Sequence, residues 1–186
     1  MIALRRIVLA LAVLAPLAAG ATLERLSLER LTLSSTAIVS GRSTGSRVVR
    51  QGPLLYTVYS FEVEQTIKGE PGRRVSVSLP GGELDGMGQQ FGGVPELETG
   101  REYLLFLWRG PSGRVQITGL SQGLFEIVRP DGGPARVIRR PDADVVIAPA
   151  PGPSAAAGAE TPAELPLADV LAGVRAALAA GRTAGP

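Results

Sequence analysis

The 186 residues hold neither cysteine nor histidine, which excludes disulfides, thiolate metal sites, a cysteine nucleophile and the usual general base near neutral pH. Lys+Arg is 19 against 17 Asp+Glu, and without Arg5 and Arg6 the counts are equal at 17, so the chain lacks the basic excess of a nucleic-acid binder. The 24 Gly and 15 Pro favour short strands and many turns over long helices.

Residues 1–21 read as an export signal. Arg5-Arg6 precede an apolar run from Ile7 to Leu17, and Ala19-Gly20-Ala21 fits a small-residue cleavage site. The run falls short of the roughly 20 apolar residues a transmembrane helix needs, so no stable membrane insertion is expected once the signal is removed. The alternatives are a buried first helix or an uncleaved anchor. The remaining chain is expected to work outside the cytoplasm, in a periplasm or beyond.

Thr22 to Ser35 carries leucines at 23, 26, 28, 31 and 33, with Ser27 placed to cap a short helix, which is preferred over a strand with Leu31 and Leu33 alternating. Thr36 to Ser40 reads as a strand. Gly41 to Ser46 is either a turn or a bend within one long curved strand that resumes at Arg47-Val48-Val49. Tyr59, Phe61 and Val63 alternate with Ser60, Glu62 and Glu64, and Arg74 to Leu79 repeats this period-two pattern. Residues 80–100 hold seven glycines and two prolines around Met87, Phe91 and Val94, and read as a long loop. Tyr103 to Trp108 is apolar on both faces and reads as a central strand covered on both sides. Shorter strands are expected over 114–120, 124–128 and 135–138, with an edge strand at 145–147.

The domain organisation read from these signals is a signal peptide (1–21), a β domain with a leading helix (22–147), a Pro/Ala-rich linker (148–166) and an amphipathic helix (167–181). In that helix Leu167, Val170, Leu171, Val174 and Leu178 share a face. The fold class is mainly β: a small antiparallel barrel, OB/netrin-like, with a short N-terminal and a C-terminal helix. An open sandwich with immunoglobulin-like topology is the alternative.

The order of signals resembles a group of uncharacterised exported bacterial proteins over residues 25–128. The likeness rests on Leu28-Glu29-Arg30-Leu31, Ser35 to Gly41, Tyr56-Thr57, Phe61 to Glu64, Ile67-Lys68-Gly69, Leu79-Pro80-Gly81-Gly82, Pro95, Gly100 to Leu107, Gly119 and Gln122-Gly123 before Phe125. More distantly it is similar to netrin-like domains, which include the tissue inhibitors of metalloproteinases. Those approach zinc through an N-terminal cysteine and are held by disulfides; this chain has no cysteine, so that mode of inhibition does not carry over.

No catalytic, cofactor-binding or metal site is read from the sequence. The glycine-rich stretch 81–88 lacks the Lys-Ser/Thr of a phosphate loop. Glu83, Asp85, Gln90, Glu96 and Glu98 match no EF-hand spacing. Asp142 and Asp144 read as solvated. A hydrolase would have to rest on Lys68, the only lysine, or on the same-face pair Glu62 and Glu64. The reading preferred over it is a non-enzymatic exported binding module. Its partner is a protein or envelope component, met by the 80–100 loop with Met87, Phe91, Val94 and Trp108 as contact residues. A structural envelope component and a ligand carrier are further alternatives.

Overall fold

The computed structural model describes residues 22–139, 146–148 and 163–183. The expected signal peptide, Asp142, Asp144 and most of the expected linker lie outside the described residues. The architecture is mainly β, with one large antiparallel sheet and two helices.

A short strand β1 (Thr22–Glu24) leads to helix α1 (Leu28–Ser34), where the Ser27 hydroxyl accepts from the Arg30 N–H at 3.1 Å and closes the first turn. Two 15-residue strands follow, β2 (Ala37–Gln51) and β3 (Leu54–Lys68), paired antiparallel along their length. Gly41 to Ser46 is therefore no turn. It is the bend of one strand, with register shifts at Ile38/Val39, Ser40/Gly41 and Ser43/Gly45. Gly41 lets the β3 backbone approach closely at the bend, since a Cβ there would sit 2.4 Å from the Glu62 carbonyl oxygen.

Strand β4 (Arg74–Pro80) pairs with β3, and a small hairpin of β5 (Gly82–Leu84) and β6 (Met87–Gln89) follows. Strand β7 (Glu102–Arg109) pairs with β2 on one side. Its other side takes β8 (Val115–Ile117) and then, after a 3-10 turn over Leu120–Gly123, β9 (Leu124–Val128). Strands β10 (Arg136–Arg139) and β12 (Ala163–Pro166) extend this flank, and β11 (Val146–Ala148) pairs parallel with β1. The sheet order is β12-β10-β9-β7-β2-β3-β4, with β8 also on β7. Strand β4 lies against β8, but among the described residues no ladder joins them.

Strand β7 separates two cores. Tyr103, Leu105 and Leu107 point into the inner one with Tyr59, Phe61, Val77, Leu79 and Leu97, where Phe61 meets Tyr103 edge to face at 6.1 Å. Leu104 and Phe106 point the other way, into a layer with Leu31 of α1 and with Val170 and Val174 of α2 (Leu167–Thr183). The doubly apolar pattern has the expected cause over 103–107, where both faces are covered, but not at Trp108, which is 37% exposed.

Three sequence expectations need correction. The linker does not span 148–166, because Ala148 belongs to β11 and Ala163–Pro166 pairs with β10. Backbone ladders do not depend on the apolar content that composition reports. The strand expected over 114–120 is only three residues long before the chain turns at Gly119, φ 67°. The C-terminal helix runs two residues past 181. Among the described residues no helix is long and apolar enough to cross a membrane.

Candidate functional site

The 80–100 stretch is not one open loop. Asp85 (φ 52°) and Gly86 (φ 74°) form a two-residue turn between β5 and β6, the conformation that Asp-Gly favours in a hairpin. Gly82 (φ 132°) brings the hairpin tight against the long strands, since a Cβ there would lie 2.7 Å from Thr57 Oγ1 and 2.9 Å from Val48 Cγ2. Gln89 then pins the hairpin down. Its side-chain amide donates to the Pro53 carbonyl at 2.8 Å, and its carbonyl accepts from the Leu55 N–H at 2.7 Å. The Thr57 hydroxyl donates to the Gly81 carbonyl at 2.9 Å.

Residues 90–97 return across the open end of the inner core. Leu97 is buried within it and Val94 packs against it. The Tyr103 hydroxyl accepts from the Glu98 N–H at 3.0 Å, fastening the exit of the segment to β7. Burial pushes the phenols of Tyr59 and Tyr103 above their ordinary pKa; for Tyr59 the charge of Glu96 adds to this, against a backbone hydrogen bond from Leu97.

Between this returning segment and the sheet lies a half-open cleft of about 490 Å³. Its floor is Ser46, Thr57, Tyr59 and Leu79, and its roof runs from Gln89 to Leu97. Glu96 is the one carboxylate on the lining, which carries no lysine or arginine. The volume lies within the range of ligand sites, and the lining mixes apolar side chains with a few hydroxyls and amides.

Of the four contact residues expected from sequence, Phe91 and Val94 line this cleft. Phe91 is 41% exposed, its ring 3.6 Å from where a Cβ on Gly81 would stand. Met87 is exposed on the hairpin, its sulfur 3.9 Å from an Arg50 nitrogen, and does not line the cleft. Trp108 does not line it either. It faces Gln116 across the β7–β8 ladder with its indole against Gly110.

The residues weighed for hydrolysis lie elsewhere. Lys68 donates from Nζ to the carbonyls of Thr32 at 2.7 Å and Leu33 at 3.1 Å, closing the C-terminal end of α1. Burial lowers its pKa. Glu62 and Glu64 are exposed, and Glu64 pairs with Arg42 at 3.4 Å. Among the described residues no three acidic side chains gather into a set that would hold a metal ion.

Several buried polar groups escaped sequence reasoning. Glu102 is 6% exposed and receives both Nε and Nη2 of Arg129, at 2.9 and 2.6 Å. Gln122 is buried and accepts the Leu26 N–H at 2.7 Å. Gln89 could have been placed sooner, because Asp85-Gly86 between Leu84 and Met87 is a hairpin signal. Comparison of the chain with protein-family models, with curated proteins and with solved structures gave no match.

Proposed function

We propose that this chain is an exported, non-enzymatic binding module that recognises a protein or envelope partner through the 82–97 hairpin and cleft. The observation that carries the reading is the cleft itself. A glycine-rich segment is pinned at both ends by Gln89 and Tyr103, roofs a half-open space of about 490 Å³, and presents exposed Phe91. A rigid frame with an exposed aromatic suits recognition, because little ordering entropy is left to be lost on binding. Paired-carboxylate hydrolysis would need a second acid facing Glu96, and no other lining residue supplies one. Lys68 is committed to helix carbonyls.

The finer fold reading is an OB/netrin-like barrel that is open between two strands. It is supported by the bent β2, which pairs with β3 and β7, and by β4 lying against β8. The likeness to exported bacterial β-domain proteins belongs to the same proposal, as does export by residues 1–21.

The test is affinity capture from the extracytoplasmic fraction of cells expressing the full chain. Wild type should retain a specific partner that the Met87→Ala/Phe91→Ala double variant loses, with unchanged circular dichroism. Both side chains are exposed, so the fold should not register their removal. Equal capture by the variant would overturn the assignment.

A further inference from the structure

Two carboxylates lie two residues apart on the segment that leaves the cleft, Glu96 and Glu98, and they have different surroundings. Glu98 pairs with Arg101 at 3.2 Å. Glu96, which lines the cleft, enters no ion pair and no side-chain hydrogen bond among the described residues. Glu96 is exposed, so the lining carries a solvated negative charge with no protein cation beside it, and no lysine or arginine to receive an anionic ligand. The amide of Gln89 is already committed to Pro53 and Leu55. Phe91, on the same lining, is 41% exposed.

An exposed aromatic residue and an unpaired carboxylate on one cleft lining match the chemistry of a planar cation. A guanidinium stacks on a ring and donates two parallel hydrogen bonds to a carboxylate; an ammonium is a compact, strongly hydrated charge that does neither as well. The cleft is also larger than one side chain, which leaves room for the apolar neighbours of such a residue along Leu79 and Val94. We propose that the cleft takes an arginine side chain presented by a partner polypeptide, its guanidinium held by Glu96 and Phe91. This rests on the reading of 82–97 as the recognition element and names the chemistry it selects.

The experiment titrates the isotopically labelled mature chain with three matched peptides, acetyl-Ala-Leu-X-Leu-Ala-amide, in which X is arginine, citrulline or lysine. The arginine peptide should shift the amide resonances of residues 90–97. Citrulline, which keeps the shape and loses the charge, should bind about tenfold more weakly, and lysine should fall between them. Glu96→Gln should bring the arginine peptide to the citrulline level at an unchanged melting temperature. Equal binding of the arginine and citrulline peptides, no shift with arginine at millimolar concentration, or a charge preference that survives Glu96→Gln would each overturn the proposal. The two readings fail separately. A partner still captured by Glu96→Gln removes the arginine assignment alone, whereas one still captured by Met87→Ala/Phe91→Ala removes the recognition element as well.

Discussion

Glu102 sits at the start of β7 with its carboxylate buried, while Arg129, its bidentate partner, remains 58% exposed. The arginine can be removed without leaving a hole, but the acid then stays behind without its cation. Arg129→Ala should lower stability by about 1–3 kcal/mol, the cost of leaving a buried acceptor unsatisfied. Arg42→Ala, which breaks the exposed pair with Glu64, should change it by less than about 0.5 kcal/mol. Urea midpoints of the two variants check the contrast. The buried phenols make a second residue-level prediction. Unfolded tyrosines lose their protons near pH 10.0, whereas Tyr59 and Tyr103 in the native state hold theirs to a higher pH. In the window above pH 10.0 the native state therefore binds more protons than the unfolded one. Stability, complete below that pH, falls as pH rises through the window. Lys68, lowered from 10.5 by burial, contributes with the opposite sign just below that value. Stability measured from about pH 9 to about pH 11 should fall less steeply in Tyr59→Phe/Tyr103→Phe than in wild type. Parallel curves would contradict the assignment.

The elements differ in how much of their structure can be read locally. Strands β3, β4 and β7 announce themselves because burial on one face or on both writes itself into the spacing of apolar residues. The capped α1 and the apolar face of α2 are equally legible. The hairpin β5–β6 shows only its Asp85-Gly86 turn: its strands are three residues each, and what holds them is Gln89 reaching residues 34 and 36 positions back. Gln122 serving Leu26, 96 residues away, and Glu102 serving Arg129, 27 away, are hidden for the same reason. A polar side chain that meets its partner only after folding leaves no periodic trace. The cleft, too, exists only because Leu97 and Val94 fold the glycine-rich segment back onto the core. Gln89→Ala should cost about 1 kcal/mol, since it leaves the part-buried Leu55 N–H without its acceptor while water can serve the exposed Pro53 carbonyl. It should also raise hydrogen exchange over residues 82–97 more than over β7. Uniform acceleration would mean that the hairpin is not an independent layer.

At the scale of the whole molecule, one sheet supports two different jobs. Its outer face is closed by α1 and α2, with Val174 fully buried against a layer that includes Leu31, Leu104 and Phe106. This chain has no disulfide to supplement that burial, so stability rests on packing. Val174→Asp would place a carboxylate among apolar groups and should cost more than about 3 kcal/mol, against about 1–3 kcal/mol for Val174→Ala. A pair of melting curves that match wild type would show the C-terminal helix to be dispensable. The inner face is covered by the returning segment, with Leu97 buried in its core and Val94 packed against it, and it is on this side that the cleft opens. Site-specific photo-crosslinking in cells producing the full chain tests the recognition claim most directly, with the reactive group placed at position 91 in one strain and at position 182, on the exposed end of α2, in another. The account predicts a discrete adduct from position 91 and none from position 182. Equal labelling from both positions, or none from position 91, would contradict it.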